Sequence, residues 1–188
     1  MNNFFLVLVC VFVSFDISAQ VARQKDSHEH GAAKLMMAME GKKLQVEFEV
    51  PSESLIGFEH LPKSQSNRKN FNEAIKNLSD PSKLFSMPNK AECLLVGTNV
   101  SQSLFSNEED HGHDDEDGHD ESEKSEIHSE FKSNYYWNCQ HLDEIDSIGT
   151  ELMSFFPRIE EIRVNWISNY GQGSLELESK DDRIKGWK

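Results

Sequence analysis

The sequence has few cysteines and, beyond its first residues, no long apolar segment. Only three of its 188 residues are cysteine, and one of them, Cys10, lies in an apolar run near the amino terminus. No later apolar run approaches the roughly 20 residues that a membrane-spanning helix needs. We therefore expect no membrane insertion once this amino-terminal run has been removed.

Motifs that carry catalysis are also missing. The sequence contains no His-Glu-x-x-His zinc protease helix, no Gly-x-Ser-x-Gly nucleophile elbow and no phosphate-binding glycine loop. It also lacks the Cys-x-x-Cys of thioredoxin-like proteins. The sequence therefore predicts a protein that is not an enzyme.

Basic residues are scarce, and the acidic ones are unevenly distributed. Lys and Arg number 19 against 33 Asp and Glu, which gives a net charge of −14. Residues 107–130 hold 12 acidic residues and one basic residue, a net charge of −11, so the rest of the chain carries only −3. A surface of this sign repels nucleic acid and anionic membranes and attracts cations. We expect a cation as partner and no nucleic acid.

The first 19 residues have the pattern of a secretory signal peptide. An apolar run from Phe4 to Val13 is followed by small residues at Ser18 and Ala19, and cleavage is expected after Ala19. The remaining chain, residues 20–188, is long enough for one domain with a core. Its two cysteines, Cys93 and Cys139, predict a disulfide, because exported chains meet oxidising conditions. Two buried unpaired thiols are the alternative.

Apolar periodicity predicts an α+β fold with antiparallel β-sheets and two helices. The predicted helices cover residues 66–79 and 142–155, and residues 51–64 are predicted as loop. The predicted strands cover residues 34–40, 42–50, 91–100, a segment that starts near 127, and segments around 162–166 and 175–177. The order gives two weakly similar halves, ββαβ and βαββ, and suggests an ancient duplication. Residues 107–126, which join the halves, are predicted to be disordered when no metal is bound, because they contain no apolar residue.

The cysteine positions suggest a geometry for that acidic segment. If the strands around Cys93 and Cys139 are antiparallel and the two cysteines face each other, the chain folds back around Glu116. The acidic segment would then be the tip of a long hairpin. Other connections remain possible from the sequence alone.

Histidines lie in three places that suit metal binding. His28 and His30 alternate near the start of the exported chain, and an extended backbone would point both to one side. His111, His113 and His119 lie among carboxylates and glycines in the acidic segment, without the ligand spacing of a calcium-binding loop. His60 and His128 lie at a loop and at a strand start. Each group also has a simpler interpretation: a flexible polar tail for His28 and His30, a solvated acidic linker for the three histidines of the acidic segment, and ordinary surface histidines for His60 and His128. His141 is interpreted as structural.

These motifs, taken in order, resemble those of the ZrgA-like family of zinc-regulated periplasmic proteins. The resemblance covers nearly the whole exported chain, and Gly57 to Pro62 is its most distinctive part. The matching motifs are His28-Glu29-His30-Gly31, Met39-Glu40-Gly41, Gly57-Phe58-Glu59-His60-Leu61-Pro62, Ala91-Glu92-Cys93, Tyr135-Tyr136-Trp137-Asn138-Cys139 and Phe155-Phe156-Pro157.

The resemblance implies a role in zinc acquisition. It implies Zn²⁺ binding in the periplasm of a Gram-negative bacterium, beside a zinc importer of the ABC class. It also makes His28, His30, His60 and His128 candidate ligands. His111, His113 and His119 match the family's histidine-rich loop only in residue type and not position by position.

Three other functions remain open from the sequence. One is a zinc-dependent hydrolase with a three-histidine site and an open position for water. Another is an envelope adaptor protein in which the histidines are incidental. The third is copper or nickel binding, since raw affinity does not discriminate among these metals.

Overall fold

The computed structural model describes residues 30–105 and 129–187, and these residues form an α+β fold, as predicted. The predicted signal peptide and the acidic segment 107–126 lie outside the described residues. Two 3-10 turns cover Asn89–Ala91 and Leu142–Glu144. The helices are α1 Ser52–Ile56, α2 Gln65–Leu78, α3 Pro81–Leu84 and α4 Leu152–Phe155. The strands are β1 Ala32–Glu40, β2 Lys43–Pro51, β3 Phe85–Ser86, β4 Cys93–Gln102, β5 Glu130–Cys139, β6 Ile148–Thr150, β7 Glu161–Ser168, β8 Gly171–Leu177 and β9 Arg183–Ile184.

The larger sheet has six strands in the order β4-β5-β2-β1-β7-β8. The predicted hairpin of β1 and β2 is confirmed, with Glu40 opposite Lys43 at the turn. However, β7 runs parallel to β1, so this one pair departs from the predicted antiparallel arrangement. The 21 residues between β5 and β7 carry the chain back to the end of the sheet where β1 starts, so β7 runs in the same direction as β1. The alternation of apolar and polar residues identifies a strand but does not show in which direction it runs.

The two predicted halves are interleaved. Both contribute strands to the six-stranded sheet, and β3, β6 and β9 from both halves form a small second sheet. The described residues therefore form a single core, and the suggested duplication stays a prediction.

The core lies on the face of the large sheet that α2 covers. Strand residues alternate between core and solvent, as period-two patterning requires, and α2 contributes Ala74 and Leu78. The hydroxyl of the buried Tyr135 donates a hydrogen bond to the Leu78 carbonyl at 2.9 Å. The inward strand residues include Leu35, Met37, Met39, Leu44, Val46, Phe48, Val50, Phe131, Tyr135, Trp137, Ile162 and Val164.

The helix predicted for residues 142–155 does not exist as one element. The segment forms the turn Leu142–Glu144, then β6, then the four-residue helix α4. The apolar residues Ile145, Ile148 and Leu152 are buried, as predicted, but in separate elements. Asp146, Ser147 and Gly149 favour the helix poorly, and β6 instead pairs with β3 and β9.

The first helical region departs from prediction in a smaller way. The helix predicted at residues 66–79 is α2, and the side chain of Ser64 caps its start by accepting from the Asn67 amide at 3.0 Å. The preceding segment, predicted as loop, contains the five-residue helix α1. A run this short carries too little periodicity to be recognised from sequence.

The disulfide and its geometry are confirmed. Cys93 and Cys139 are bonded, with an S–S distance of 2.04 Å, and lie directly opposite each other in the antiparallel pair of β4 and β5. A bulge between Leu95 and Gly97 shifts the register by one residue, and pairing continues to Gln102 and Phe131. The acidic segment therefore connects the two strand ends opposite the disulfide.

Within residues 30–105 and 129–187, none of the helices is both long enough and apolar enough to cross a membrane.

Candidate metal centre

One edge of the six-stranded sheet gathers the segments that carry the candidate histidines. At this edge Pro51 is opposite Glu130, Gln102 is next to Phe131, and Ala32 is next to Glu161. The start of β1, the end of β2 and the open end of the β4–β5 hairpin therefore meet there. We call this the histidine edge, and it comprises His30–Gly31, α1 with the following residues 57–61, residues 102–105 and residues 129–130. The disulfide and His141 lie at the opposite edge.

His30 is held against α1 at the start of β1. Its Nδ1 lies 3.0 Å from the Glu53 carboxylate, and the Gly31 amide donates to the Ser54 hydroxyl at 2.9 Å. The Gly31 carbonyl also accepts from the Glu160 amide at 2.8 Å. Gly31 has a φ of 84°, a conformation that glycine adopts without strain. The backbone of His30–Gly31 is thus anchored on two sides, while the His30 side chain stays 67% exposed.

His60 follows α1 by four residues. Gly57, with a φ of 85°, ends the helix, and its missing side chain leaves space for the Arg158 guanidinium. The His60 ring then stacks on the buried Phe58 with a centroid distance of 5.1 Å. Its Nδ1 lies 2.8 Å from the Leu61 carbonyl oxygen.

The Ser129 backbone is fixed to the same helix. The Ser52 amide at the start of α1 donates to the Ser129 carbonyl at 2.8 Å, and both residues are buried. The hydroxyls of Ser52 and Ser129 and the Gln102 side-chain oxygen have no hydrogen-bond partner among the described residues. Buried polar atoms are normally satisfied, so these three atoms depart from the usual pattern.

The hydrogen bonds of the two histidines determine which ring nitrogen is available. Carboxylate and carbonyl oxygens only accept hydrogen bonds, so His30 and His60 must each donate through Nδ1–H. In the neutral imidazole Nε2 then carries the free lone pair. Metal-binding histidines commonly show this arrangement, in which one ring nitrogen donates to a carboxylate or carbonyl and the other binds the ion.

The structure describes two of the candidate residues, His30 and His60, each held by its own partners. Among residues 30–105 and 129–187, no cluster of three or more His, Cys, Asp or Glu could hold a metal ion. His30 and His60 lie at the histidine edge. The remaining candidates lie outside the described residues: His28, His111, His113, His119 and His128.

Sequence reasoning missed the supporting residues of this edge. Glu53, Ser54 and Ser52 belong to α1, which was expected to be loop, and they contact residues that are far away in sequence. Glu53 lies within the first turn of α1 and is 23 residues from His30. No pattern in the sequence relates the two.

Comparisons with known proteins point to one family. A search of curated proteins gave no match. The family model described as ZrgA family zinc uptake protein matches residues 27–186, which include all the described elements and all the candidate histidines. The chain therefore belongs to the ZrgA family of zinc uptake proteins.

Proposed function

We propose that this chain is a periplasmic zinc-binding accessory protein. It captures Zn²⁺ through histidines and passes the ion to an importer of the ABC class, and it acts as a binding protein and not as an enzyme. Zinc is the cargo of this process. Membership of a zinc uptake family supports the metal and the general role.

The observation that carries the proposal is the convergence of histidine-bearing segments on α1. Glu53 binds His30, the Ser52 amide binds the Ser129 carbonyl, and the chain leaving α1 reaches His60. His128 directly precedes Ser129 in the sequence. His28 lies two residues before His30. Zinc needs three or four converging nitrogen, sulfur or oxygen ligands, and these four histidines supply them.

The acidic segment supports a second, more loosely organised contribution. In the sequence it lies between Phe105 and Ser129, and both of these residues belong to the histidine edge. A tethered segment has a high effective concentration near its attachment point. His111, His113 and His119 would therefore collect zinc close to the site formed by the other histidines, and the surrounding carboxylates would attract the cation.

The experiment that tests the proposal is a zinc titration by calorimetry. The wild-type protein, purified after export, is compared with the single variants His30→Ala, His60→Ala and His128→Ala. We expect one tight site in the wild type. Each substitution should weaken it by more than the about 10- to 100-fold that loss of a supporting contact typically causes. His141→Ala is the matched control, because His141 lies at the opposite edge and should leave affinity unchanged.

The outcomes separate the competing functions. No zinc binding by the wild type would remove the metal function and favour an adaptor protein. Tighter retention of copper or nickel than of zinc in a competition titration would overturn the choice of metal. If the purified zinc form donates its ion to the solute-binding protein of an ABC zinc importer, delivery is supported, whereas retention of the ion in the presence of that acceptor contradicts it.

A further inference from the structure

The His30–Glu53 pair has a property that the general proposal does not use. Glu53 lies in the first turn of α1, and its side chain is 39% exposed. Its carboxylate accepts from His30 Nδ1 at 3.0 Å. Among the described residues the His30 imidazole is the one side chain that forms a hydrogen bond or ion pair with this carboxylate. The carboxylate is therefore not shared with a competing cation there.

The backbone around the pair is already ordered. The next residue of α1, Ser54, accepts from the Gly31 amide at 2.9 Å, and the Gly31 carbonyl accepts from the amides of Glu160 and Glu161. His30 therefore starts from a fixed backbone position. What remains free is the rotation of its side chain and the choice of the protonated ring nitrogen. A single acceptor at Nδ1 restricts both of these freedoms.

We infer that Glu53 is a positioning residue of the proposed zinc site: its carboxylate holds His30 as the Nδ1–H tautomer and leaves Nε2 to bind the metal. The inference rests on the proposed function. The carboxylate also increases the electron density of the imidazole and strengthens Nε2 as a ligand.

Two substitutions at position 53 separate the effects of hydrogen bonding and charge. Glu53→Gln keeps an oxygen acceptor but removes the charge, and Glu53→Ala removes both. We expect zinc affinity to fall in the order wild type, Glu53→Gln, Glu53→Ala, with a loss of about 10-fold or more for alanine. Glu40→Gln is the matched control, because it removes the same charge from the exposed far end of β1 and should leave affinity unchanged.

A spectroscopic measurement reports the tautomer directly. Two-bond nitrogen–proton NMR correlations of the metal-free protein should show His30 protonated at Nδ1 in the wild type and in Glu53→Gln. In Glu53→Ala this signature should be replaced by that of a ring with both tautomers or with Nε2–H. A general loss of structure would not produce this selective change, and the amide spectrum and thermal unfolding of each variant check that it folds.

A double-mutant cycle decides whether Glu53 acts through His30. In a His30→Ala background, Glu53→Ala should cause no further loss of affinity, because the residue that it positions is gone. An equal loss in both backgrounds would show that Glu53 binds the ion itself and would overturn the inference. An unchanged affinity in Glu53→Ala would overturn it as well. A different result would show that the proposed function itself is wrong: the wild type would bind no zinc, or His30→Ala would bind zinc as tightly as the wild type.

Discussion

Tyr135 illustrates how single residues determine the stability of this protein. It is fully buried, and its hydroxyl donates to the Leu78 carbonyl at the end of α2, so it connects the helix to the sheet. Burial disfavours the charged phenolate and raises the pKa of Tyr135 to about 12, from its ordinary value of 10.0. The folded protein therefore holds this proton more strongly than the unfolded chain.

This difference predicts a loss of stability in alkaline solution. Below pH 10 the phenol is protonated in both states, and between pH 10 and about 12 only the unfolded chain loses the proton. The free energy of unfolding should therefore fall by a total of about 2 to 3 kcal/mol over that range. Urea unfolding at pH 8, 10 and 11.5 measures the change.

The control for this prediction is Tyr135→Phe. It should cost about 1 kcal/mol at pH 8 through the lost hydrogen bond, and it should show a smaller fall in stability above pH 10. Other groups that titrate in alkaline solution, such as the lysines, are present in both proteins and cancel in the comparison. Equal alkaline losses in the two proteins would show that Tyr135 is not responsible.

At the scale of elements, the two ends of the β4–β5 hairpin have separate roles. The disulfide joins Cys93 and Cys139 at one end, and the histidine edge lies at the other. The bond closes a loop with a sequence separation of 46 residues, which includes the acidic segment. Cross-linking a loop of this length restricts the unfolded chain and stabilises the folded one by about 4 kcal/mol in the chain-entropy model.

We therefore predict that replacing both cysteines by alanine affects stability and leaves zinc affinity unchanged. The free energy of unfolding should fall by about 4 kcal/mol, as measured in urea against the oxidised wild type. Zinc affinity, measured where both proteins are folded, should stay within about 2-fold, because the register across β2 and β5 holds the histidine edge without the disulfide. A loss as large as that of His30→Ala would mean that the two ends are coupled.

At the scale of the whole molecule, one part of the chain carries most of the net charge and another part forms the folded core. Residues 107–130 carry −11 of the net −14, and the rest of the chain is nearly neutral. The described residues form one core without the acidic segment. A ligand that binds only the folded state stabilises it, by about 2.7 kcal/mol when the free ligand is at 100 times its Kd.

This division predicts the result of deleting residues 107–126. Zinc should raise the thermal unfolding midpoint of the wild type and of the deletion variant by similar amounts, because the ligands proposed around α1 are retained. The number of weakly bound ions should fall in the variant. Calorimetry and thermal unfolding with and without zinc measure both quantities. A deletion variant that zinc no longer stabilises would place the tight site in the acidic segment.

The sequence by itself determined the features that arise from local pattern or from simple geometry. Period-two alternation predicted the β1–β2 hairpin, and apolar residues at helical spacing predicted α2. The two cysteines of an exported chain predicted their own disulfide, and their positions suggested that the strands around them are antiparallel neighbours, because such strands put residues of constant number sum opposite each other. The motifs around His60 and Cys139 predicted the family. Each of these signals lies within a short stretch or depends on two positions only.

The tertiary structure alone decided how the strands and the site are assembled. Local periodicity does not distinguish a parallel from an antiparallel neighbour, so the β1–β7 pair could not be predicted, and three short elements replaced the helix expected at residues 142–155. The contact between His30 and Glu53 depends on the packing of α1 against the start of β1. Such contacts join residues far apart in sequence, and only the folded chain, with its register and packing, brings them together.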